Sequence, residues 1–286
     1  MLQRGTITLL RIPFSFFLMP VYFFALSQTT EINWNKALLV FVILHLVLYP
    51  ASNGYNSYMD RDTESIGLLE KPPAPTRELF YLTALLDGLA VLLSIFVSRL
   101  FTVCIVANIL ASHAYSCRKI RLKKYPITGF LTVVIFQGSL TYGMVYYSSA
   151  YTVPSLIPWE GMLISALLFG GFYPLTQVYQ HVQDKRDGVR TISCMLGIHG
   201  TFAFSALLYL TGEAALFFYF RKTKISHFYL LQAFFLPIVV YFIAWWIKVR
   251  ENKRLADFRH AMRMNLVAAL CMNSAFIILL ILNTLK

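Results

Sequence analysis

The chain has 286 residues, 58% hydrophobic, 16% aromatic and only 13% charged, with a formal net charge of +12 at pH 7. Soluble domains carry about 25% charged residues, so this composition excludes an ordinary soluble domain. The positive balance does not call for nucleic acid, because membrane proteins gather Lys and Arg in their inside loops.

Runs of about 20 apolar residues mark membrane-spanning helices, and about nine such runs follow one another here. They cover residues 7–26, 37–56, 79–97, 101–115, 127–147, 162–181, 201–220, 229–249 and 266–285. The first resembles a signal peptide, with Arg4 ahead of it and Ala25-Leu26-Ser27 at its end. Arg11 interrupts it and eight further runs follow, so an uncleaved first helix is expected. Lipid admits only helices or closed barrels. The expected fold is therefore all-α, a polytopic bundle filling residues 1–286 as a single integral-membrane domain. With the N-terminus inside, most Lys and Arg fall on the inside, although Arg221, Lys222 and Lys224 run against the bias. A bacterial inner membrane with a cytoplasmic N-terminus is the expected location. Cys104, Cys117, Cys194 and Cys271 follow no ligand spacing, and fit packing residues in a reducing compartment.

The second and sixth runs end in the same phrase. Tyr49-Pro50-Ala51-Ser52-Asn53-Gly54-Tyr55-Asn56-Ser57-Tyr58-Met59-Asp60-Arg61 returns 124 positions later as Tyr173-Pro174-Leu175-Thr176-Gln177-Val178-Tyr179-Gln180-His181-Val182-Gln183-Asp184-Lys185. Both copies should cross the membrane in the same direction and end on the basic, cytoplasmic side. Each holds a proline, Pro50 or Pro174, so a kink is expected in each helix. Beyond it, Asn53, Asn56 and Asp60 stand at i, i+3 and i+7, as do Gln177, Gln180 and Asp184, which places each set on one helical face. Lipid makes such a face costly, so both should point into the bundle. The pattern is an internal pseudo-repeat around a shared site.

Asn56, Asp60 and Glu64 at i, i+4 and i+8 should converge at the helix end. Mg2+ takes oxygen ligands, commonly one or two carboxylates together with substrate phosphates. Asp60 with Glu64, and Asp184 with Asp187, offer that set twice, with Asn56 and Gln180 adding amide groups. One such motif alone reads better as acids solvating a helix end beside Arg61 or Arg186; the duplication favours metal ligation. Lys119, Arg121 and Arg190 occupy loops that would border the site and supply cations for phosphate, although basic inside loops are common in any polytopic chain. Asp87 and Glu213 lie within spans without an evident partner, and His45, Asn108, His113 and Gln137 are further polar residues at membrane depth. Phe14, Phe16, Phe136, Phe172 and Phe218 read as packing or lipid-facing rings, some of which can line an apolar tunnel.

Asn56-Ser57-Tyr58-Met59-Asp60-Arg61-Asp62-Thr63-Glu64, with Lys71-Pro72 after it, resembles the first aspartate-rich motif of the UbiA superfamily of intramembrane prenyltransferases. Asp184, followed by Gly188-Val189-Arg190-Thr191 and Leu196-Gly197, resembles the second. Tyr115-Ser116 with Lys119 is similar to the family's third-loop segment, and Arg11-Ile12-Pro13 to its early Arg-Pro. The chain departs from the pattern at Ser57 and Gln180, where Asp is usual, at Glu64, which replaces the last Asp, and in Pro73-Ala74-Pro75, which lacks an Arg. Asp62 and Asp187 can compensate for the missing carboxylates. The resemblance implies transfer of a prenyl group from an isoprenoid diphosphate to a lipid-soluble acceptor, aromatic or a quinone precursor. Two Mg2+ ions on Asp60/Glu64 and Asp184/Asp187 would take the leaving diphosphate, with Lys119 and Arg190 beside them. Tyr142 or Tyr173 would face the allylic cation, and Tyr49, His45 and Asn53 would orient the acceptor. Asn53, Tyr49, Tyr115, Tyr173, Gln180, Arg121 and Arg11 complete the expected substrate site, with no role for nucleic acid.

Two other readings compete. One is a member of the same superfamily that cyclises the isoprenoid or uses a non-aromatic acceptor such as a sugar phosphate or haem. The other is a transporter with a polar site between repeats; transporter sites lie near the bilayer midplane, whereas Asp60 and Asp184 are expected at one membrane surface. The D-G-x-x-A-R signature of CDP-alcohol phosphotransferases is absent.

Overall fold

A computed structural model describes residues 3–152 and 154–285. Helices account for nearly all the regular structure, and among the described residues the β-structure is confined to two isolated bridges, Ile32 with Ala150 and Ile66 with Leu69. Five helices are long and apolar enough to cross a membrane: Trp34–Asp60, Pro126–Ser148, Ile192–Lys222, Ile225–Glu251 and Phe258–Thr284. A sixth span arises if Arg4–Phe17 and Met19–Gln28, bent by 42°, count as one. The chain is thus an all-α integral membrane protein. The sequence raised an expectation of nine spans; three of these fall on helices Arg77–Ser94, Arg99–Ser116 and Trp159–Phe172, which do not meet the same criteria. The first carries Arg77, Glu78 and Asp87, the second carries Asn108 and His113, and the third is only 14 residues long.

Local sequence explains the breaks. Arg11, at φ 45°, separates the helix Arg4–Leu9 from the tighter turn Ile12–Phe17, and the 42° bend of the first span falls after that turn, at Leu18, where Met19–Gln28 begins. The two prolines of the repeated phrase act differently, contrary to the matched ladders that the sequence suggested. Pro50 follows a widened π-type stretch, Val42–Leu48, which absorbs the missing N–H and lets the helix run on to Asp60. Pro174 instead opens a 3-10 turn, Tyr173–Gln177, and Asp184 is carried by a separate six-residue helix, His181–Arg186. Only the first copy is one continuous helical face. Arg61, at φ 56°, ends that helix, with its N–H on the Ser57 carbonyl at 3.0 Å. Gly197, at φ 69°, allows a sharp break near the start of Ile192–Lys222 that a residue with a Cβ resists.

Helices Trp34–Asp60 and Arg99–Ser116 run in parallel. Ser52 and Ser112 hydroxyls meet at 2.6 Å, and Ser116 donates to Asn56 Oδ1 at 2.8 Å, a constant offset of 60 residues. This ladder sets Asp60 and the basic loop after Ser116 at the same end of the bundle. Small residues permit close packing: a Cβ on Gly138 would come within 2.9 Å of the Ala166 Cα. The interior between helices is largely aromatic and aliphatic, with Phe24, Phe202, Phe235, Trp245 and Phe276 fully enclosed.

Candidate active site

One cavity of about 290 Å³ is lined by residues from both copies of the repeated phrase. Asp60 closes the Trp34–Asp60 helix and is buried, with Asp62 just beyond it; Asp184 approaches from the second copy and Asp187 from just beyond it. The basic loop supplies the counter-charges. Lys123 donates to Asp60 Oδ2 and reaches Asn56 Oδ1 at 3.4 Å. Arg121, held at φ 49°, lies 3.6 Å from both Asp60 Oδ1 and Asp187 Oδ2 and donates to the Asp187 carbonyl at 3.2 Å. A non-glycine residue in the left-handed region carries strain that the surrounding contacts must hold. Here that backbone aims a guanidinium between the two motifs. Gln183 donates to Asp62 Oδ1, a second link between them. Arg118 donates to the carbonyls of Met59 at 2.7 Å and Asp60 at 3.4 Å, capping the helix that presents Asp60.

Electrostatics match this crowding. Burial pushes the Asp62 carboxyl up to about 7, and the nearby Asp60 adds to the shift while Lys123 and Arg11 oppose it. Burial likewise pushes Asp184 up to about 6, opposed by hydrogen bonding from Thr191, whose hydroxyl lies 3.2 Å away, and by Lys123. Asp60 Oδ1 is enclosed and has no hydrogen-bond partner among the described residues. Among those residues, no three His, Cys, Asp or Glu side chains converge to hold an ion unaided. The set suits a hard divalent cation that shares its coordination between one or two carboxylates, water and a phosphate-bearing ligand.

Beneath this charged mouth the lining changes character. Tyr115 and Tyr173 hydroxyls meet at 2.5 Å, and Gln177 Nε2 donates to the Tyr173 hydroxyl at 2.9 Å. Arg11 is buried, donates to the Asn53 carbonyl at 3.3 Å and lies 5.5 Å from the Phe14 ring centre. Deeper still, Phe24, Leu48, Phe136, Leu168, Phe172 and Phe276 form an apolar wall. The segment after Asp60 folds against this mouth: Ile66 and Gly67 line the cavity, and a Cβ on Gly67 would meet the Phe14 ring at 2.4 Å.

The cavity gathers Arg11, Tyr49, Asn53, Asn56, Asp60, Tyr115, Arg121, Tyr173, Gln180, Asp184 and Asp187. Five residues expected beside them lie elsewhere: Glu64, Lys119, Arg190, Tyr142 and His45. Glu64 falls past the end of the helix, so its alignment with Asn56 and Asp60 does not form, and it pairs on the surface with Arg186 at 2.6 Å. Lys119 is exposed and outside the lining; Lys123, one turn of the loop further, takes the inward position. Arg190 is exposed, its backbone N–H bound to the Lys124 carbonyl at 3.4 Å. Tyr142 packs under Gly161 rather than lining the cavity, whereas Tyr173 lines it. Phe14, Phe136 and Phe172 line it; Phe16 and Phe218 do not. His45 lies outside the lining, enclosed by the rings of Tyr22, Phe41 and Tyr49. Asp87 meets His113 Nε2 at 2.9 Å, and Glu213 accepts from Gln232 at 2.6 Å, so both acids have partners away from the cavity. Sequence reasoning passed over Lys123 and Gln183; the only signal for Lys123 was its membership of the basic loop.

A profile of the UbiA prenyltransferase family matches residues 16–267. No curated protein sequence matches the chain. Among solved structures, the chain is similar to the apo form of a UbiA homologue from Aeropyrum pernix K1, at 16% identity and a TM-score of 0.69, covering 94% of this chain and 98% of that one. It is similar to a UbiA homologue from Archaeoglobus fulgidus bound to GPP and Mg2+, at 17% identity and a TM-score of 0.68, covering 96% and 99% of the two chains. It is also similar to a digeranylgeranylglyceryl phosphate synthase, at 19% identity and a TM-score of 0.63, covering 97% and 98%. At these identities the likeness concerns the fold.

Proposed function

The chain belongs to the UbiA prenyltransferase family, and on that premise we propose that it transfers a prenyl group from an isoprenoid diphosphate to a lipid-soluble, aromatic or quinone-precursor acceptor, with Mg2+. The observation that carries this reading is the single cavity that joins carboxylates of both motifs at a charged mouth to an aromatic, apolar interior. A diphosphate suits the mouth and a hydrocarbon chain suits the interior. The whole of residues 1–286 acts as one integral-membrane domain, built on an internal pseudo-repeat and about nine membrane-embedded helices, with the mouth at the cytoplasmic face. Its position at helix ends favours this reading over a transporter, whose site lies nearer the midplane.

Asp60, Asp62 and Asp184, with Asp187 and Asn56 beside them, would hold Mg2+. Bound there, Mg2+ supplies positive charge that stabilises the diphosphate as the allylic C–O bond breaks. Lys123 and Arg121, already at the mouth, turn toward the anion and add charge-assisted hydrogen bonds. Tyr115 and Tyr173 present aromatic faces beneath the breaking bond, where an allylic cation is attracted to ring density. The enclosing Phe residues exclude water that would otherwise capture the cation. The new bond joins that carbon to the acceptor, which gives up a proton to the departing diphosphate.

The test is incubation of the purified protein in membranes with labelled geranyl, farnesyl and longer diphosphates plus Mg2+, followed by identification of labelled lipid. A labelled product that EDTA abolishes is expected. Label crossing sealed vesicles without any new product would replace this reading with a transporter.

Binding should also depend on pH. Asp62 and Asp184 have folded-state values raised above the ordinary carboxylate range, so their neutral forms favour the ligand-free fold and that contribution is lost as pH rises through about 6 to 7. A cation needs the ionised forms. Affinity for Mg2+ with geranyl diphosphate should therefore rise between pH 5 and pH 8, roughly tenfold for each proton released per pH step. Calorimetry in buffers of different ionisation enthalpy reads the protons directly; binding that is flat across this range contradicts the assignment.

A further inference from the structure

Well below the charged mouth, the cavity holds polar groups that the diphosphate cannot reach. Asn108 is 7% exposed and Ser165 3%; both line the cavity. Asn108 Nδ2 and Ser165 Oγ have no hydrogen-bond partner among the described residues. Gln137 lines the same cavity from a third helix, on the widened stretch Val134–Leu140, a type of distortion frequent at functional sites. The close approach of Gly138 to Ser165 and Ala166 brings the Gln137 and Ser165 helices together at this depth.

The serine ladder fixes the level. An offset of 60 residues sets Asn108 beside Leu48, about 12 Å along the helix below Asn56. Arg11, bound to the Asn53 carbonyl, is the nearest charged side chain in the lining by this measure, about 7.5 Å higher. Three side chains from three helices thus offer hydrogen bonds without charge. An enclosed donor left unmade is costly, and a prenyl tail has no atom to satisfy it. A carboxylate or phosphate at this depth would be desolvated without a counter-ion.

We propose that Asn108, Gln137 and Ser165 form a neutral polar subsite for the acceptor, which takes an uncharged hydroxyl or carbonyl oxygen carried away from the reacting carbon. This rests on the prenyl-transfer reading above. The acceptor is then one whose far end bears an uncharged hydroxyl or carbonyl oxygen, in preference to one whose far end is anionic.

The experiment uses the purified full chain, in detergent, and three probes: 1-naphthol, naphthalene and 1-naphthoate. Fluorescence titration gives their dissociation constants. 1-Naphthol should bind about tenfold tighter than naphthalene, reflecting one buried hydrogen-bonded group, and the acid no tighter than naphthalene. Asn108→Leu and Ser165→Ala should each erase the advantage of 1-naphthol over naphthalene. Equal binding of 1-naphthol and naphthalene by the native chain overturns the proposal, as does tightest binding of the acid, or an advantage of 1-naphthol that survives both variants. If Asn108→Leu does not fold, Ser165→Ala and the native comparison still decide. Mg2+-dependent binding of geranyl diphosphate is measured on the same preparation. Its presence without preference for 1-naphthol sinks this subsite alone, and its absence sinks the prenyl-transfer reading.

Discussion

Asp60→Asn is expected to lower turnover of Mg2+-dependent prenyl transfer by roughly 10²-fold or more, the scale of losing one preorganised electrostatic group. The substitution keeps the shape of the side chain and removes its charge. Asp60 is nearly enclosed, with its side chain 5% exposed, and it is the common partner of Lys123 and Arg121. Without it, two half-buried cations face a site with one fewer carboxylate, and a cation bound there loses its most central oxygen donor. Removing one member of a buried ion pair is also destabilising by about 3–5 kcal/mol, so thermal unfolding is to be measured beside activity. Asp184→Asn should match the loss in turnover with a smaller effect on unfolding, since its closest partners are the Thr191 hydroxyl and the Cys194 thiol rather than a cation. If both purified variants turn over like the native protein, the carboxylates do not hold the metal.

Lys123→Met should raise the KM for the prenyl diphosphate about 10- to 100-fold, the range for a hydrogen bond to a charged group, while Lys119→Met stays near the native value. The contrast separates geometry from motif spacing. Lys119 stands where the family-like segment places its lysine, yet its side chain is exposed and outside the cavity lining. Lys123 reaches both Asp60 and Asn56. The left-handed turn at Arg121 reverses the loop between them and brings the later lysine inward. Methionine keeps most of the length of lysine, so packing changes little. Equal KM values for the two variants, or the reverse ranking, would return the role to Lys119.

Much of this arrangement is legible in the sequence because it follows helical arithmetic. Asn53, Asn56 and Asp60 lie on one face of a continuous helix and line the cavity at the expected spacing. Where the backbone leaves the helix, spacing stops carrying information. Counting in fours aligns Glu64 with Asn56 and Asp60, but the chain turns at Arg61, and nothing as plain as a glycine marks that turn. The second copy reads as the twin of the first, yet Pro174 starts a tighter turn and Asp184 rides a separate helix; the widened stretch that rescues Pro50 has no counterpart there. Asp87 and His113 are 26 residues apart on neighbouring helices, so their pairing depends on packing that no local pattern encodes. Helices Arg77–Ser94 and Arg99–Ser116 fall short of a clear span for a related reason: charged and amide side chains that satisfy one another inside the bundle lower the hydropathy of the helices carrying them.

The unequal architecture of the two motifs has a mechanical consequence. Asp60 terminates a 27-residue helix capped by Arg118, whereas Asp184 is borne by six residues flanked by turns. One jaw of the clamp is stiff and the other compliant. On the proposed function, closure on a metal-bound diphosphate would fall to the segment around Asp184, and the entropy lost in gripping would be concentrated there while the opposite wall serves as an anvil.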